Sequence, residues 1–267
     1  MAITTLDGAL AGMRPPEFFA KGTSPTLAAG RPFSPFYLGG YPGAAVAPAP
    51  GIAGAALTSY AGQIPFPAAS GNTHLARFSG ACSSQSGMLL LCDRLWHNSG
   101  ISVTTTTAQT VNSVAWPARD KNGAIDGDGV LIGLEISAAT GVGAATPSIS
   151  YTNSAGVSGK TSTTVDAYAA SSALGMFYRL GLQAGDVGVQ SIQSVTLGVS
   201  MTSGSVSLVA YRVLAALELS ASGVPNAVDA LTAGLPRLYD NTVPFLLFIP
   251  QTTAAGQITG SLVYTQG

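Results

Sequence analysis

Chemistry near neutral pH needs side chains that titrate there, and this sequence offers two unperturbed ones, His74 and His97. His97 stands in Leu95-Trp96-His97-Asn98, at the close of an expected strand. That setting suits an imidazole bonded to a turn better than a general base. No G-x-S-x-G nucleophile elbow is present. Ser154-Ala155-Gly156-Val157-Ser158-Gly159-Lys160-Thr161 ends like a phosphate loop, but Ser154 replaces its first glycine and a β-branched TSTTV run replaces its helix. It reads as a hairpin with a return strand. Asp120 to Gly129 has the look of a calcium loop. However, Ala124 and Ile125 replace a ligand and the turn glycine, and Leu131 stands where the bidentate Glu belongs. Asp120, Asp126 and Asp128 could serve a non-EF cation site, but Asn-Gly and Asp-Gly pairs first of all make turns.

The remaining acids are dispersed. Asp93 with Arg94, Asp186, and Asp229 with Arg237 and Asp240 suit structural ion pairs. Cys82 and Cys92 form no CxxC, so zinc is unsupported, and two buried thiols are expected unless their Cα atoms come within disulfide reach. The sequence therefore leads to no catalytic, cofactor or metal site and to a protein that is not an enzyme.

The composition points the same way. Of 267 residues 46% are hydrophobic and 9% charged, and 11 basic against 12 acidic side chains leave a net charge of −1. Nucleic-acid binding needs clustered positive charge, and disorder needs low hydrophobicity, so both are excluded. Such sparse charge implies either a surface of Ser, Thr, Asn and Gln or a surface covered by other subunits. Asp7 precedes any basic residue, so no signal peptide is expected at the start. The longest uncharged stretch, Pro32 to Ala76, is broken by prolines, so no membrane span is expected.

The elements that would carry function divide near residue 75. Ten of the sixteen prolines lie between Pro15 and Pro67, where they disfavour long helices and central strands. Eight aromatic residues recur there: Phe18, Phe19, Phe33, Phe36, Tyr37, Tyr41, Tyr60 and Phe66. They read as anchors of an extended arm, residues 1–74, laid over its own domain or a neighbouring subunit. Proline restricts the free arm and so lowers the entropy lost on docking.

Residues 75–267 read as strands. Gly87 to Cys92, Ile101 to Val111, Val130 to Ile136, Ser148 to Thr152, Phe245 to Ile249 and Gln257 to Tyr264 are short apolar or β-branched runs between turn signals. Ile192 to Val199 alternates with one slip suggestive of a bulge, and Thr202-Ser203-Gly204 predicts a hairpin into Val206 to Leu214. Helix is expected only for a turn or two within Val165 to Gly175 and Ala227 to Ala233. The fold class is all-β, an antiparallel β-sandwich or jelly roll behind an extended N-terminal arm.

The segments LLLCDRLWHNSGISVTTTTAQTVNS, WPARDKNGAIDGDGVLIGLEIS, SYTNSAGVSG, YRLGLQAGDVGVQSIQSVTL and LPRLYDNTVPFLLFIP resemble a family of tailed-bacteriophage virion proteins across roughly residues 75–267. The resemblance implies a non-enzymatic component of the particle and transfers no functional residues. The expected role is a capsid decoration or cement protein, self-associating (a trimer is one arrangement) and bound to the major capsid protein or other virion proteins. Its expected location is the virion. A neck, tail or baseplate component is the alternative within that class. A carbohydrate- or receptor-binding tail module is the alternative outside it, for which Trp96 and Trp116 would have to form an exposed platform.

Overall fold

A computed structural model describes residues 3–68 and 71–267. The chain is all β, an antiparallel fold of the β-sandwich and jelly-roll class. In chain order, the helix α1 (Leu6–Ala11) precedes β1 (Glu17–Lys21), β2 (Thr73–Cys82) and β3 (Gly87–His97). Next come β4 (Val130–Ala138), β5 (Ser148–Asn153), β6 (Phe177–Gly181) and β7 (Val189–Thr196). The long β8 (Ser205–Leu219) leads to β9 (Asn226–Asp229), the short helix α2 (Ala230–Ala233), β10 (Pro244–Pro250) and β11 (Ile258–Gln266).

Two compact units result, and no boundary falls at residue 75. The first comprises Met1–Ala45, Ser59–Asp93 and Val213–Gly267; the second comprises Val46–Thr58 and Arg94–Arg212. The chain leaves one unit for the other inside β3 and inside β8.

In the first unit one sheet runs β9-β2-β11-β1, extended at its edge by Gly40–Tyr41. Period-two burial sets its faces: Phe78, Gly80 and Cys82 of β2 point inward, while Arg77, Ser79 and Ala81 point out. Gly80 is required by the packing, because a Cβ there would lie 2.9 Å from a Leu89 methyl and 3.4 Å from one of Leu217. The opposing layer holds the first half of β3 against β10, in register from Pro244↔Asp93 to Pro250↔Gly87. The Pro/aromatic segment covers the outer edge of β10. Phe33 exchanges both backbone hydrogen bonds with Phe248 at 2.8 Å, and Gly30 and Ile64 donate to Pro250 and Pro244. That removes an open edge that would otherwise invite pairing with another chain.

The second unit is a sandwich in its own right. One sheet pairs Thr163–Thr164, β6, β4 and the first half of β8, and the end of β3 pairs with Ala55–Ala56. The other runs Gln109–Thr110, β7, β5, Lys160–Thr161. Ile132, Leu134 and Ile136 from β4 and Val189, Ile192 and Val195 from β7 are buried in this unit. β7 carries the expected bulge, with register shifts at Val189/Ser191 and Ile192/Ser194.

Several local expectations fail. The run Ile101 to Val111 contributes strand only at Gln109–Thr110. No hairpin joins β7 to β8: β7 pairs with β5, and β8 pairs with β4 in the other sheet. Gly204 (φ 97°) closes a tight turn against Ala139 and Thr140, delivering the chain to a different partner. Val165 to Gly175 is not helical, whereas α1 forms where no helix was expected.

Candidate interaction surfaces

The eight aromatic residues of the N-terminal segment part into distinct environments. In β1 the sequence Glu-Phe-Phe-Ala-Lys alternates, so Phe19 points inward and Phe18 outward. Phe19, Phe33, Phe36 and Tyr37 are buried in the first unit. Phe36 sits in a 3₁₀ turn, Pro35–Tyr37, whose preceding Ser34 accepts the Phe36 amide proton through Oγ. Its ring lies edge-on to Phe245 at 5.9 Å and stacks on half-buried Tyr60 at 6.0 Å. Half-buried Phe66 meets Tyr264 edge-on at 5.4 Å. Phe18 and Tyr41 alone of the eight stand in solvent, 55% and 42% exposed. Their rings stack at 4.4 Å and 21° across β1 and its neighbouring Gly40–Tyr41 rung.

A buried cation fixes that rung. The Lys21 ammonium donates to the carbonyls of Leu38, Pro42 and Gly43 at 3.4, 2.8 and 3.1 Å respectively. Burial lowers its pKa to about 8.

Sequence reasoning passed over a second exposed apolar surface. On α1, Leu6 and Leu10 and then Met13 are 60%, 56% and 44% exposed, and no residue of the helix is buried. The signal was present: a spacing of four puts Leu6 and Leu10 on one helical face, while Met13 lies past the helix in a bridge to Thr265. A groove of about 470 Å³ lies elsewhere in the same unit, lined by Gly87, Met88, Leu219, Ile249 and Pro250, with Glu218 as the charged group of its lining.

The residues weighed for chemistry are engaged structurally. His97 is buried at the end of β3. Its Nδ1 accepts from Arg94 Nε at 3.2 Å, and burial, followed by the Arg94 charge, brings its pKa down to about 3. Arg94 makes a two-pronged pair with Glu135 at 3.1 and 2.6 Å, both side chains fully buried. His74 is half-buried, its pKa lowered by burial and by Arg237. Asp120 spends its carboxylate on the amides of Asn122, Ala124, Gly127 and Asp128, at 2.8 to 3.2 Å. The side-chain amide of Asn122 donates to Asp128. This is turn architecture, and no group of three or more His, Cys, Asp or Glu side chains suited to a metal occurs among the described residues; Asp126 does not join Asp120 and Asp128 in such a group.

Ser154 to Thr161 forms the expected hairpin, with Tyr151↔Lys160 in register. Lys160 lies 3.6 Å from Asp186, which also accepts from Tyr151 and Asn153. Those hydrogen bonds lower the Asp186 pKa, that of Tyr151 foremost. Trp96 and Trp116 are buried, edge-on at 5.2 Å, with their N–H groups on the Ala53 and Val189 carbonyls, and so form no exposed platform. Cys82 and Cys92 are buried free thiols; burial raises the Cys92 pKa.

The fold is thus an all-β sandwich that carries exposed apolar side chains on its surface. No protein-family model matches the sequence, and no curated protein matches it. Among solved structures the chain is similar to the VP2 subviral particle of infectious bursal disease virus, at 9% identity. The alignment covers 96% of this chain and 81% of that one with a TM-score of 0.23, a likeness too slight to bear on function.

Proposed function

We propose that this chain is a structural subunit of a tailed-bacteriophage virion, a decoration protein that reinforces the head by contact with further copies and with the major capsid protein. The observation that carries this reading is the distribution of charged and apolar side chains. Eight of the 23 charged residues (Lys21, Asp93, Arg94, Arg119, Asp120, Glu135, Asp166 and Arg212) are buried, which leaves fifteen to keep the surface in water. Leu6, Leu10, Met13, Phe18, Tyr41 and Leu231 meanwhile stand exposed. A surface of nearly zero net charge with apolar groups outward favours association. The sequence resemblance described above supports the viral setting, and the engagement of His97 and Asp120 in structural bonds fits a protein that acts without chemistry.

Quantitative mass spectrometry of purified particles tests the proposal. Hundreds of copies per particle are expected. Six or twelve would move the protein to the neck or tail, and absence from particles would overturn the reading.

A further inference from the structure

Two apolar features of the first unit lack cover among the described residues. One is the face of α1 formed by Leu6 and Leu10, with exposed Met13 just past the helix. A six-residue helix is not stable by itself in water, and this one is held from its C-terminal side by backbone. The Arg14 amide donates to Tyr264, the Gln266 amide to Gly12 and the Thr265 hydroxyl to Ala9, at 2.8, 3.0 and 2.6 Å. These bonds fix the helix while its leucines remain in solvent. The other feature is the groove floored by Met88, Leu219, Ile249 and Pro250, whose one charged lining residue is the exposed Glu218.

Their positions decide how they can be used. α1 is bound where β11 ends and β2 begins, at the Gln266↔Thr73 rung. The groove lies beside Gly87, just past the other end of β2 at Cys82. Ten strand residues separate the two ends, roughly 30 Å at about 3.3 Å per residue. The helix cannot reach the groove of its own chain without breaking the bonds that hold it.

We infer that α1 of one copy docks into the groove of the next, Leu6, Leu10 and Met13 entering the apolar floor and Arg14 meeting Glu218. Charge complementarity favours this occupant: the exposed guanidinium follows directly after the apolar stripe, and the groove offers a single carboxylate. Made reciprocally about a two-fold axis this contact closes a dimer, and made in one direction it builds a ring if its rotation closes and a filament if it does not. This deepens the reading of the chain as an assembled structural subunit and rests on it.

Sedimentation velocity of the purified full chain over a range of concentrations tests the inference without any particle. The wild type is expected to associate with rising concentration. Leu6→Asp/Leu10→Asp (helix disabled, groove intact) and Glu218→Arg (groove disabled, helix intact) should each weaken association at least tenfold. Mixing the two variants should give 1:1 dimers that grow no further, and Arg14→Glu added to Glu218→Arg should restore assembly. Near-UV circular dichroism confirms that each variant is folded; if Glu218→Arg is not, Glu218→Gln takes its place in the mixture. A wild type that stays monomeric, a mixture that forms no dimer, or association untouched by these changes overturns the inference. A chain found in particles but monomeric in solution would defeat the helix-to-groove contact and leave the proposed function standing. A chain absent from particles that assembles in this way would do the reverse.

Discussion

The two units stack sheets in the same manner yet hold their interiors together differently. The first joins distant parts of the sequence through aromatic packing: Phe33 on β10, Phe36 on Phe245, Phe66 on Tyr264. The second holds most of the buried charge, with Arg94, Glu135, Arg119 and Asp120 nearly or fully inaccessible, against Lys21 and Asp93 in the first. Arg119 serves there as a brace, donating to the Leu57 and Arg94 carbonyls at 2.7 and 3.2 Å. Apolar packing tolerates loss of area gradually, whereas a buried ion is tolerable only while its partner is present. The second unit should therefore be the more brittle.

The largest expected effect follows from that contrast. Glu135→Ala leaves the Arg94 guanidinium buried without its carboxylate and should cost about 3–5 kcal/mol. Urea unfolding followed by Trp96 and Trp116 fluorescence reads this directly, since both tryptophans lie in the second unit. Equal stability of variant and wild type would erase the distinction. Phe33→Ala should cost about 3 kcal/mol through its cavity, with hydrogen exchange rising first along Pro244–Pro250, the strand that Phe33 borders.

Titration sharpens the comparison further, with the same sign but in a different pH window for each unit. His97 binds its proton less readily when folded (about 3) than when free (6.5), so the unfolded state takes up protons first as pH falls. Its contribution is intact above pH 6.5 and declines toward pH 3, and His97→Gln should flatten that part of the stability curve. Lys21 is shifted from 10.5 to about 8, so the folded state releases its proton first and stability gains between pH 8 and 10.5. Lys21→Met should abolish that gain. Thermal unfolding at stepped pH checks both. The smallest effect belongs to Phe18→Ser, expected within about 0.5 kcal/mol of wild type because the ring is already in solvent.

What the sequence disclosed depended on range. Strands were legible wherever β-branched or apolar runs ended at turn residues, as at Val130 to Ile136 and Phe245 to Ile249, because period and punctuation are local. Phe18 and Phe19 read alike as anchors of the arm, and only strand pairing turns one outward and the other inward. Partner choice was not legible. Thr202-Ser203-Gly204 has hairpin chemistry, yet β8 finds β4, whose residues lie some 70 positions earlier. The Arg94–Glu135 pair joins side chains 41 positions apart, and nothing in either neighbourhood announces the other. The exposed face of α1 was recoverable from spacing, but its lack of cover required coordinates.

The pairing of β1 with β11 also governs manufacture. Residues 17–21 must await partners about 240 positions downstream, roughly 12–48 s of translation at about 5–20 residues per second. Throughout that interval a nascent strand bearing Phe18, Phe19 and their neighbours waits beside the ribosome with its hydrogen-bonding edge unmated. The opening strand therefore cannot complete its sheet until the closing strand has been made.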